Sequence, residues 1–197
     1  MQLSIDHFYL YRKEVLMMKK DTLYNVIGDL NWEIGRKNRE RGIQERGVLH
    51  LYGNAALALR YDLNVSVDKI QALIETSLSR RDINEVINTI GRRYHLKQGW
   101  FDESVRFRLS RNNWTLLYDN YGHILVKTAT PDYIMAMKIV HGSNEDIKIV
   151  KELISRIREI DSISDVEFYI NKYYCIEQVK QEVYMPIKRW MRKQVKL

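Results

Sequence analysis

"VLHLYGNAALALRYDLN" (48–64) runs directly into "VSVDKIQAL" (65–73), and the reading of this pair decides the fold. The apolar run VLHLY (48–52) suits a short buried strand, Gly53 and Asn54 supply a turn, and AALALRY starts a helix. NVSVDKIQALI (64–74) mixes β-branched and apolar residues and predicts a second strand. A strand, a small-residue turn and a helix followed by a second strand form a common frame for handling phosphate. Such a frame carries two carboxylates two residues apart on the second strand, because a two-residue step points both side chains to one face. Here Lys69 and Gln71 stand at those positions.

The flanking sequence supplies helices and a hairpin. Leu23, Val26, Ile27, Leu30 and Ile34 recur at three- and four-residue steps, predicting a helix over 21–42 capped by Asp21 and ended by Gly42. A second amphipathic helix is expected over 79–96, with Ser79 as cap and Ile83, Val86, Ile87 and Ile90 on one face. Segments 103–111 and 114–130 read as strands, the latter folded at DNYG into a hairpin. Thr130 and Pro131 open a helix that Gly142 stops, Ser143 or Asn144 caps another over 143–160, and one or two helices with a basic tail follow over 163–197. Pro186 is expected to break or kink the last of them. The fold class is α+β: a small mixed sheet, a helical layer, and helical extensions at both ends.

The chain has 197 residues, 45% hydrophobic and 29% charged, enough for one cored domain. Two prolines and nine glycines argue against long linkers. No apolar run approaches the roughly 20 residues of a membrane span, and the first twenty residues lack the order of a secretory leader. A cytoplasmic protein without membrane association is therefore expected. The single cysteine, Cys175, excludes an intrachain disulfide and a cysteine-cluster zinc site. None of the five histidines has a paired helical spacing, so no metal site is expected from them. No Walker loop, dinucleotide glycine pattern or hydrolase motif is present. A net charge of +7 and a pI near 9.4 favour acidic partners, either nucleic acid or an acidic protein surface.

Four stretches, taken in order, resemble a known family. VLHLYGNAALAL, VSVDKIQAL, RRYHLKQGWFDESV and TATPDYIMAMKIVHGSNEDIKIVKEL are together similar to the minimal nucleotidyltransferase-fold proteins related to nucleotidyltransferase toxins of abortive-infection and toxin–antitoxin systems. The resemblance spans roughly residues 21–160, leaving 1–20 as an N-terminal extension and 161–197 as a C-terminal helical segment with a basic tail. It implies a metal-binding Asp-x-Asp on the second strand, where this chain has Lys69 and Gln71. It also implies a Gly-Gly or Gly-Ser turn, where this chain has Gly53-Asn54, and it matches Lys138 and Asp146 in the later segment.

These departures bear on chemistry. Nucleotidyl transfer uses paired carboxylates to hold magnesium, which neutralises the triphosphate and activates the attacking hydroxyl. A charged lysine cannot ligate magnesium, and a glutamine carbonyl is a weak substitute. A bulge could bring Asp68 into the site, with Asp62 or Glu75 as second carboxylate, although the apolar pattern resists a shifted register. Lys138, inside the apolar YIMAMKIV, is either a snorkelling lysine at the core edge or, as the resemblance implies, a phosphate-facing one. With Lys69 opposite, the cleft of Gly53, Asn54, Lys69 and Lys138 would be a basic anion pocket.

The sequence thus carries two readings. In the first, a catalytically degenerate nucleotidyltransferase-fold protein needs no cofactor and binds an acidic protein or nucleic acid, in phage–host conflict or toxin control. In the second, an active magnesium-dependent nucleotidyltransferase modifies RNA or protein from a rearranged site. Two basic clusters are the candidate partner surfaces: Arg36, Lys37, Arg39 and Arg41 at the end of the first helix, and Arg189, Arg192, Lys193 and Lys196 around Trp190 in the tail. Each is equally a solvated helix end whose charge suits the helix dipole.

Overall fold

A computed structural model describes residues 18–104 and 114–194. Helix α1 (Lys20–Arg41) leads into β1 (Gly47–Leu51), α2 (Gly53–Arg60), β2 (Ile70–Glu75) and α3 (Arg80–Arg93). Then come β3 (Phe101–Asp102), β4 (Trp114–Tyr118), β5 (Ile124–Ala129), α4 (Pro131–His141), α5 (Ile147–Arg156), α6 (Ile163–Tyr173) and α7 (Gln181–Gln194). The strands form one mixed sheet in the order β3-β2-β1-β5-β4. β1 is antiparallel to β2 and parallel to β5, β2 is parallel to β3, and β4 and β5 form an antiparallel hairpin.

Strand alternation sorts the sheet into two faces. Leu49, Leu51, Ile70, Ala72, Ile124 and Val126 are buried on one face and join the α1 residues Leu23, Val26, Ile27, Leu30 and Ile34 in the core. Gln71, Leu73, His50 and Lys127 share the other face: Leu73 and Lys127 are the cross-strand partners of His50, and Gln71 pairs with Asp102. The C-terminal helices belong to the same core, since Val166, Ile170, Ile187 and Met191 are buried in it. Among the described residues no helix is long and apolar enough to cross a membrane.

Several boundaries differ from expectation. Helix α1 starts one residue early; its cap position is Lys19, and Asp21 sits in the first turn instead. Gly42 ends it in a left-handed conformation, φ 67°, as expected of a helix-stopping glycine. β2 begins at Ile70, not 64. The backbone groups of 64–69 find other partners: the Val67 carbonyl accepts from Met18 N–H at 2.8 Å and the Ser66 carbonyl from Asn54 Nδ2 at 2.7 Å. Ser79 caps α3, its Oγ accepting from Asp82 N–H at 3.1 Å, but Ile87 is only half-buried. A 3-10 turn (Asn144–Asp146) precedes α5, so the expected single helix over 143–160 is shorter and opens with a tighter turn. Pro186 lies inside α7, which runs through it, held by buried Val183, Tyr184, Ile187 and Met191. Most of the strand expected at 103–111 lies outside the described residues, whereas the two-residue β3 was not anticipated.

Candidate functional site

The turn between β1 and α2, the start of β2 and the end of α4 converge on a cavity of about 360 Å³. Asn54, Asp68, Lys69, Gln71, Lys138 and Asp146 line it, together with Met137, His141, Gly142, Glu145 and Tyr174. Gly53 closes the turn with φ 60°, a conformation that glycine adopts without penalty. A methyl group on Gly53 would lie 1.9 Å from Gln71 Oε1, so the turn and the β2 side chain are in direct apposition. Residues far apart in sequence, picked out above by order and spacing, thus sit around one cleft.

Each cleft lysine is matched to a carboxylate. Lys138, 7% exposed, donates through Nζ to Asp146 Oδ1 and to Asn54 Oδ1, the latter at 3.1 Å. Asp146 is fixed in turn by the Ser143 N–H at 2.9 Å, and Asn54 spans the cleft by donating to the Ser66 carbonyl. Lys69 Nζ lies 2.8 Å from Asp102 Oδ2, and Ser104 N–H donates to the other oxygen of Asp102 at 2.9 Å. Burial works against the Asp102 charge, but these donors outweigh it and hold the carboxyl below the usual carboxylate range. Around the two lysines of the expected anion pocket stand Asp68, Asp102, Glu145 and Asp146, and both lysines are engaged with carboxylates.

Compared with protein-family models, curated proteins and solved structures, the chain matches none.

The suggested substitute carboxylates fall in different places. Asp68 is on the cavity rim, half-exposed, 3.7 Å from Lys97. No bulge displaces β2, whose register with β3 pairs Ile70 with Phe101 and Gln71 with Asp102. Asp62 points away to Lys20 at 2.6 Å, and Glu75 lies at the far end of β2 beside His50. Asp68 thus gains neither expected partner. Asp102, the carboxylate that does stand beside Gln71, was missed because β3 is too short to show a period. The aspartate of "WFDES", inside a stretch quoted above for its resemblance, was its signal.

The two basic surfaces fare differently. In the α1 cluster, Arg36 pairs with Glu33 and Glu40, buried Lys37 with Glu85 at 2.6 Å, and Arg41 with Asp82 at 2.8 Å. The Arg36 pairs lie within α1, while the Lys37 and Arg41 pairs join α1 to α3; Arg39, whose guanidinium is 3.5 Å from His123 Nε2, is the cluster's member without a carboxylate partner among the described residues. In the tail, Arg189, Arg192 and Lys193 are exposed and Trp190 is half-buried; Lys196 lies outside the described residues.

Proposed function

We propose that the chain is a catalytically degenerate protein of nucleotidyltransferase-like fold that acts by binding an acidic partner, in phage–host conflict or toxin control. The observation that carries this reading is the Lys69–Asp102 pair. In a competent site, carboxylates at positions 69 and 71 would stand beside the carboxylate of Asp102 and share a divalent cation. Here a tethered ammonium, 2.8 Å from Asp102 Oδ2, supplies the positive charge instead. It neutralises Asp102 but offers no open coordination position, so it can neither polarise a phosphoryl group nor acidify a bound hydroxyl. The residues present do not fit magnesium, and no catalytic step is derived through it.

The alternative, an active nucleotidyltransferase acting on RNA or protein, would have to collect its ligands from Asp68, Asp102 and Asp146. Each of these already pairs with a lysine: Asp68 with Lys97, Asp102 with Lys69 and Asp146 with Lys138. Among the described residues no three His, Cys, Asp or Glu side chains cluster as metal ligands would.

The test is a gain of function. Lys69→Asp combined with Gln71→Asp should create a divalent-cation site, read by calorimetry with manganese and magnesium, and adding Asp102→Asn should remove it. No gain in the double variant, with its fold intact by circular dichroism, would show that these positions do not form the ligand frame.

A further inference from the structure

Among the described residues, many Lys and Arg side chains pair with a carboxylate. Those of the α1 cluster, of the cleft and of the first turn of α3 lie within 4 Å of a carboxylate in nearly every case. The facing surfaces of α5 and α7 differ. Lys148, Arg189, Arg192 and Lys193 are exposed and, among the described residues, make no ion pair. Lys148 and Lys151 are three apart on α5, and Pro186, Arg189, Trp190 and Lys193 recur at three- and four-residue steps on α7, so each set shares a helix face. Lys151, Pro186, Arg189, Trp190 and Lys193 line an open cavity of about 310 Å³, and no carboxylate lines it. Lys151 Nζ sits 5.7 Å from the Trp190 ring centroid, fixing one cation against the aromatic.

We propose that this α5–α7 face docks a single-stranded nucleic acid: Lys148, Lys151, Arg189 and Lys193 neutralise phosphates, and the part of the Trp190 ring left open takes a base. The proposal rests on the reading that the chain acts by binding an acidic partner and names that partner's chemistry. Charge complementarity favours phosphate, since the groove presents cations with no carboxylate among them. A folded-protein partner would require a protruding apolar anchor. Trp190 is packed against the core, and the large apolar side chains that are exposed, Trp32, Leu116, Phe168 and Met185, do not line this groove. A groove of cations beside one aromatic face matches how strands are held without sequence readout.

Fluorescence anisotropy with fluorescein-labelled mixed-sequence 20-mers of RNA and DNA, between about 50 and 300 mM salt, tests this. Four phosphate contacts predict a log–log slope of about −3, using about 0.7 per contact on single strands. Lys148→Ser, Arg189→Ser and Lys193→Ser together should flatten the slope by about 2 and weaken binding at least about tenfold at 100 mM salt. A control with the same charge loss, Arg80→Ser, Arg81→Ser and Arg92→Ser on α3, should leave affinity within about twofold, and melting curves check both folds. A preference between the RNA and DNA strands would identify the source of the phosphates. The proposal is overturned if neither strand binds, if the triple α5–α7 variant binds as wild type, if the control loses as much affinity, or if polyglutamate of matched charge competes equally. Loss of this surface would leave the cleft reading standing, whereas magnesium-dependent nucleotide binding would remove the cleft reading whatever α7 does.

Discussion

Replacing Gly53 by alanine probes the cleft where its geometry is tightest. Two costs follow from the structure. At φ 60° an L-residue carries a penalty of about 1–2 kcal/mol relative to glycine. The new methyl would stand 1.9 Å from Gln71 Oε1 and 3.0 Å from Gln71 Cδ, so the Gln71 side chain must swing aside. Displacing that flexible chain from its rotamer adds about 0.5–1.5 kcal/mol. Gly53→Ala should therefore destabilise by about 2–3 kcal/mol in urea unfolding, as a lower midpoint with unchanged m. Gln71→Ala in the same chain should return only the second part, so the double-mutant cycle should show a coupling of about 1 kcal/mol. Ordinary helix behaviour predicts the opposite sign, since alanine in place of glycine stabilises a compatible site by about 0.4–1 kcal/mol. A neutral or stabilising Gly53→Ala would refute both the left-handed turn and its apposition to Gln71.

Two further outcomes follow. Lys138→Met strands Asp146 in a site where its side chain is only 19% exposed, and it removes a donor from Asn54; a loss of about 2 kcal/mol is expected in chemical denaturation, partly restored by adding Asp146→Asn. His50 is buried on β1 against Trp114, and burial pushes its imidazole below the ordinary value despite Glu75 Oε2 at 3.1 Å from Nε2, a contact out of line for a hydrogen bond. The facing charges are Glu75 and Lys127, and the second adds to the lowering. Because the folded pKa is depressed, the unfolded chain binds the proton first. Stability should fall as pH drops below about 6.5, the unfolded histidine value, and this component should level off once pH passes the folded pKa. Thermal melts from pH 8 to 5 should show that slope and His50→Gln should reduce it; an unchanged slope would mean that His50 is not its source.

What could be read from the sequence was whatever repeats or punctuates. The apolar period of α1, the Ser79 cap, the DNYG hairpin and Pro131 at the start of α4 each carry a local physical cause and each appears where that cause acts, whereas Thr130 holds the cap position of α4 without a side-chain cap bond. The Gly53 turn and the alternation of Lys69 and Gln71 about buried Ile70 likewise placed those residues on one cleft. Tertiary partners were not legible. β2 lost its first six expected residues because the Ser66 and Val67 carbonyls bond to Asn54 and Met18 rather than to a neighbouring strand. Asp102 was missed because its meaning lies in a cross-strand neighbour, and the α1 cations looked free because their carboxylates, Asp82 and Glu85, come from α3. Pattern reveals faces; it does not reveal which opposite charge will arrive from another element.

If the Lys69 ammonium stands where a metal ion would act in this cleft, nucleotide binding here needs no magnesium. Calorimetric titration of the full chain with ATP and with CTP, each with and without magnesium, tests it most directly. No magnesium-dependent heat is expected in the wild-type chain, because Lys69 already neutralises Asp102 and position 71 offers only an amide. Tight magnesium-dependent binding of either nucleotide, abolished by Asp102→Asn, would contradict it.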